Sequence, residues 1–171
     1  QSPPLVRQEF EFPRLFHRIV ESVETNGSKN VKELEGRKVF VAPHRSHLDE
    51  AVLVKALYHA LRDARLLPKI IARKTPFFRV VNVLGYLDKF KIAKVENNDG
   101  YFGMFRQTQE MLRENDLLFF PDGQIRINGD IKFNPLLFWA VLEFARENED
   151  VPTYICPVSI DYSPRIIEER C

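Results

Sequence analysis

The sequence predicts an α/β fold, a layered mixed sheet flanked by helices, and three observations carry that expectation. Short apolar runs rich in β-branched and aromatic residues recur at residues 38–42, 69–72, 90–95, 117–120 and 154–160. Between them lie segments whose apolar residues fall at helical spacing. The length of 171 residues suits one compact core. Strands alternating with helices favour helices layered on a sheet.

Taken in order, the chain begins with Phe12, Leu15, Phe16, Ile19, Val20 and Val23 at helical spacing, closed by Asn26-Gly27. Residues 1–30 thus read as an N-terminal helical segment and 31–171 as the α/β domain, one domain overall. Lys38 to Ala42 is the first strand, followed at once by the polar segment Pro43-His44-Arg45-Ser46-His47-Leu48-Asp49-Glu50. Ala51, Val52, Val54, Leu57, Tyr58 and Leu61 form a helix pattern, and Lys69 to Ala72 a second strand. After a mixed stretch from Thr75 to Leu84, Phe90 to Val95 is a third strand. A helix follows from Tyr101 to Glu114, with Met104, Phe105, Thr108, Met111 and Leu112 on one face. Leu117 to Phe120 is a buried-type strand ending in the turn signal Pro121-Asp122-Gly123. A helix from Phe133 to Glu147 and a strand from Tyr154 to Ile160 complete the pattern.

Composition excludes several classes. The hydrophobic share is 44% and the charged share 29%, ordinary for a folded domain. A formal net charge of +1 gives no general field for nucleic acid. The two cysteines, Cys156 and Cys171, are too few for a disulfide framework and have no metal-ligand spacing, so a reducing compartment is expected. No apolar run approaches the roughly 20 residues that span a bilayer. The first residues lack a signal-peptide pattern and an initiator Met, and read as a processed end or the edge of a longer chain.

The densest chemistry lies around His44. Two histidines, an arginine and a carboxylate fall between a strand and a helix, where α/β sheets gather their sites. An alcohol is a poor nucleophile until its proton is removed as it attacks. Histidine does this near neutral pH, with an unperturbed pKa of about 6.5. A carboxylate on the other ring nitrogen fixes the tautomer and steadies the imidazolium. His44 and Asp49 therefore read as a general base and its orienting acid. Ser46 and Asp49 also suit a helix N-cap and first-turn acid. A metal site built on His44, His47 and Asp49 is a competing reading. Zinc sites of this local kind, however, usually put two histidines four apart on a helix.

The segment His-Arg-Ser-His-Leu-Asp resembles the histidine-x4-aspartate signature of the glycerol-phosphate acyltransferase superfamily, and is closest-looking to glycerol-3-phosphate and dihydroxyacetone-phosphate acyltransferases. Three further blocks follow in that family's order. One is Pro76-Phe77-Phe78 with Gly85 and a basic position best matched by Lys94. Another is Phe119-Phe120-Pro121-Asp122-Gly123-Gln124-Ile125-Arg126. The last is the strand Ile155 to Ile160 with its proline, Pro157. The block from Phe119 to Arg126 departs twice: Asp122 stands where the family has glutamate, and Ile125 where it has arginine, with Arg126 one place later.

The resemblance implies an acyltransferase that moves a fatty acyl group from acyl-coenzyme A or acyl-carrier protein to a glycerol-phosphate-type hydroxyl. It implies no cofactor beyond that acyl co-substrate and no resident metal. Substrate binding would fall to Arg45, Ser46, Lys94, Asp122, Gly123 and Arg126, the cations holding the acceptor phosphate. The partners would be the acyl thioester, the phosphorylated acceptor and a membrane surface, with the protein peripheral on the cytoplasmic face. Lys69, Arg73 and Lys74 beside Phe77 and Phe78 suit either an anionic bilayer or core packing. Because the family usually continues with more sheet, the chain would be C-terminally short. A non-catalytic lipid- or acyl-carrier-binding descendant and a metal-dependent hydrolase stand as alternatives.

Overall fold

A computed structural model describes residues 22–44, 49–63, 66–73, 92–95, 100–121 and 135–162; at 72–73, 92–95 and 100–101 the description covers the backbone alone. The elements are α1 (Ser28–Lys32), β1 (Arg37–Val41), α2 (Asp49–Leu61), β2 (Lys69–Arg73), β3 (Ile92–Val95), α3 (Gly100–Glu114), β4 (Leu117–Phe119), α4 (Pro135–Glu147) and β5 (Thr153–Pro157). The expected N-terminal helix lies outside the described residues except at its end, where residues 22–25 are irregular. Gly27, expected to close that helix, instead sits at φ 75° and opens α1.

The strands form one five-stranded sheet in the order β3-β2-β4-β1-β5. Every pairing among the described residues is parallel, so the α/β class stands while the sheet is parallel there rather than mixed. Parallel neighbours need crossover connections of about a dozen residues or more. The links in this chain are of that kind, carrying α2 between β1 and β2, α3 between β3 and β4, and α4 between β4 and β5.

The alternation of side chains along the strands separates two cores. Val39, Ile71, Leu117 and Phe119 point to one face and pack with Met104 and Leu112 of α3 and with Leu137, Val141 and Phe144 of α4. Phe40, Ala42, Ile70, Leu118 and Phe120 point to the other and pack with Leu53, Val54 and Leu57 of α2. β1 and β4 are covered on both faces, which is why their sequences, Val-Phe-Val and Leu-Leu-Phe, are continuously apolar. α4 buries one stripe only: Trp139 and Leu142 on its other side are exposed.

Both long helices on the first face end in the same way. Asn115 donates its side-chain amide to the carbonyl of Met111 at 3.1 Å, and Asn148 does the same to Phe144 at 2.7 Å. Each adds a second donor to a last-turn carbonyl that also accepts the same asparagine's backbone N–H, at 2.9 Å for Asn115 and 3.0 Å for Asn148. The start of β1 is tied to the α3–β4 corner by the Lys38 amide, which donates to Asp116 Oδ1 at 2.9 Å. Just before it, Gly36 has φ 134°, and a Cβ there would lie 2.2 Å from the Pro152 carbonyl oxygen. Glycine is therefore required where β1 and β5 enter side by side.

Candidate active site

The parallel order sets β4, β1 and β5 next to one another with their carboxyl ends on one edge. Each contributes a residue just past its end: Phe120 after β4, His44 after β1 and Tyr162 after β5. Asp49 and Glu50, the first residues of α2, complete the cluster. The chain leaves β1 through Ala42, which is buried and anchored by its amide to the Phe119 carbonyl at 3.3 Å. Pro43 then fixes one backbone torsion and holds its predecessor extended. His44 is delivered in this way to the crevice between α2 and the strand ends.

Three neighbours fix the imidazole. Its ring stacks on Phe120, with centroids 4.4 Å apart and planes 29° from parallel. Nδ1 lies 3.3 Å from Asp49 Oδ2, in a hydrogen bond. Nε2 lies 3.4 Å from Glu50 Oε1. The His44 side chain is only 12% exposed and that of Asp49 1%. Such a buried carboxylate is stable only with partners, and Asp49 has a second: the Tyr162 hydroxyl donates to Oδ1. Glu50, on the solvent side at 23% exposure, is shifted upward from the ordinary 4.5 to about 7. Burial is the main cause; a backbone hydrogen bond pulls partly back, and the adjacent charge of Asp49 pushes further up.

The pair expected from the sequence, His44 and Asp49, is thus brought together, with Asp49 on Nδ1 and Glu50 beside Nε2. Arg45, Ser46, Asp122, Gly123 and Arg126, and also His47 of the metal reading, lie outside the described residues. Lys94 is placed by its backbone in β3, three strands from β1. Among the described residues, no group of three or more His, Cys, Asp or Glu side chains is arranged to hold a metal ion. Nor is any described helix long and apolar enough to cross a membrane.

Sequence reasoning missed Glu50 and Tyr162 and gave Phe120 no role at the site. Tyr162 stands 113 residues from Asp49 in sequence. Its one available signal was its place just beyond the last strand, at the edge where such sheets gather their sites.

A buried histidine–carboxylate pair thus stands at the carboxyl edge of a parallel α/β sheet. The chain matches the Acyltransferase family model over residues 22–161, and so belongs to that family, the glycerolipid acyltransferase superfamily. No curated protein and no solved structure matches it.

Proposed function

We propose that the protein moves a fatty acyl group from an acyl thioester, acyl-coenzyme A or acyl-carrier protein, to the hydroxyl of a glycerol-phosphate-type acceptor. The family supports acyl transfer as such. The observation that carries the mechanism is the hydrogen bond from His44 Nδ1 to Asp49 Oδ2. With its Nδ1–H hydrogen-bonded to Asp49, the neutral ring presents the Nε2 lone pair as the base. The acceptor oxygen attacks the thioester carbonyl carbon as its proton passes to Nε2. The C–S bond then breaks, and the thiolate leaves with the proton from the imidazolium. Asp49 steadies that imidazolium without taking the proton itself. No protein nucleophile is required.

The acceptor phosphate needs a fixed cation. Strand spacing puts the Lys94 backbone roughly 14 Å from β1, across β2 and β4. Arg126 follows β4, the immediate neighbour of β1, so we assign the phosphate first to Arg126 and give Lys94 and Arg45 supporting roles. Ser46, Asp122 and Gly123 complete the proposed acceptor site. Because the acylated product belongs in a bilayer, the reading places the enzyme peripherally on the cytoplasmic membrane face.

The test is an acceptor screen run with labelled acyl-coenzyme A and, in parallel, with labelled acyl-carrier protein, comparing glycerol-3-phosphate, dihydroxyacetone phosphate and lysophosphatidate. Acceptor-dependent labelled product from at least one is expected. Arg126→Ala should raise the KM of that acceptor roughly ten- to hundredfold, the effect of one lost charged hydrogen bond. No acceptor-dependent product from any of the three, with either donor, would refute the proposal.

A further inference from the structure

His44 has a carboxyl group at each ring nitrogen, and only one of the two is explained by base catalysis. Asp49 on Nδ1 is the orienting acid. Glu50 lies 3.4 Å from Nε2, the atom that must receive the acceptor's proton. A neutral imidazole has one N–H and one lone pair. With the N–H directed at Asp49, the lone pair meets Glu50. That contact is attractive in two forms. Glu50 can carry a proton and donate it to Nε2, or a doubly protonated ring can pair with the carboxylate. In either form Nε2 is unavailable as a base.

The surroundings favour this arrangement in the empty site. Burial holds Glu50 near neutrality, up to about 7, so the neutral carboxyl that can donate is well populated at physiological pH. The two acids also differ in freedom. Asp49 is enclosed and engaged by both His44 and Tyr162. Glu50 borders solvent at 23% exposure, and rotation about its own side-chain torsions carries the carboxyl away from the ring.

We infer that Glu50 gates the base: it occupies the acceptor-hydroxyl position of the empty site and withholds His44 Nε2 from water until a bound acceptor displaces it. The inference rests on the acyl-transfer reading above. An exposed base beside a thioester hydrolyses it. Water oxygen attacks the carbonyl carbon, one water proton passes to Nε2, the C–S bond breaks, and the thiol leaves with that proton while the acyl group becomes a fatty acid. An acceptor held by its phosphate brings binding energy with which to displace Glu50, and water brings none. Glu50 thereby sets the ratio of transfer to hydrolysis.

The test compares wild type, Glu50→Ala and Glu50→Gln with acyl-coenzyme A and no acceptor, following free thiol. Glu50→Ala should raise acceptor-free release roughly three- to tenfold, the effect of one lost hydrogen bond. Glu50→Gln should stay near wild type, because its amide still donates to Nε2. Adding His44→Ala to Glu50→Ala should return release to background. Unchanged release in Glu50→Ala, or an equal rise in Glu50→Gln, would overturn the gate. A second readout needs no turnover. In ligand-free protein labelled with 15N-histidine, the Nε2 resonance of His44 should move in Glu50→Ala, and a resonance that stays in place overturns the contact. Wild-type transfer to the acceptor is the control. Transfer without the Glu50→Ala effect removes the gate alone, whereas no transfer to any acceptor removes the acyl-transfer reading and the gate with it.

Discussion

Tyr162, beyond the end of β5, donates its hydroxyl to Oδ1 of Asp49, the first residue of α2. The other oxygen of the same carboxylate receives His44. Asp49 is therefore held by a residue beyond the edge strand β5 while it holds a histidine that follows the neighbouring strand β1.

Tyr162→Phe removes that donor without removing the ring. The carboxylate keeps His44 but loses the contact that sets its rotation. We expect kcat to fall about tenfold, within the range for a hydrogen bond to a charged group, with the KM of the acyl donor little changed. Steady-state kinetics with both substrates varied checks this. An unchanged kcat would reduce Tyr162 to packing.

Asp49→Asn tests the tautomer. The Tyr162 hydroxyl can donate to the amide oxygen of the new side chain, which leaves the NH2 group facing His44 Nδ1. That nitrogen must then accept, and the proton moves to Nε2, the wrong place for a base. A loss of roughly 10²–10⁴ in kcat is expected, with little change in Tm. A variant with normal activity per folded molecule would leave Asp49 as a first-turn helix acid and nothing more.

Glu50 links the site to stability. Its folded-state value is raised from 4.5 to about 7. Below about 4.5 the carboxyl is neutral in both folded and unfolded chains. As pH rises from there to about 7 the unfolded chain ionises first, so stability is lost across that window and stays lost above it. Glu50→Gln cannot ionise. Its Tm should match wild type near pH 4.5, rise above it through the window, and keep a constant advantage beyond pH 7, worth up to about 3 kcal/mol. Thermal melts across that range measure the difference. A constant offset at every pH would show that Glu50 does not titrate between those values.

Much of the fold was legible because its signal is local. β1 and β4 are apolar on both faces, and the stripes of α2, α3 and α4 recur at helical spacing. α1 was not legible, since it is five residues long and buries none of them. The apolar pattern of α2 begins only at Ala51, because Asp49 and Glu50 are polar, and its start was legible through Asp49 as a first-turn acid. Strand order was hidden because pairings such as Val39 with Leu117 are set by packing between distant segments. The same division holds at the site. His44 and Asp49 stand close together in one polar segment, while Phe120 and Tyr162 reach them only through the order β4-β1-β5. Glu50 is masked for another reason: consecutive helical residues point about 100° apart. It meets His44 only because the histidine arrives from β1 over the first turn of α2.

The central claim is that His44 is the base, and His44→Ala tests it most directly. Acceptor-dependent acyl transfer should be measured beside circular dichroism and Tm for wild type, His44→Ala and His47→Ala. The account expects His44→Ala to lose about 10²–10⁴ in rate with its fold intact, and His47→Ala to lose far less. Wild-type turnover in His44→Ala would contradict the account outright, and equal losses at both histidines would point instead to a metal held between them.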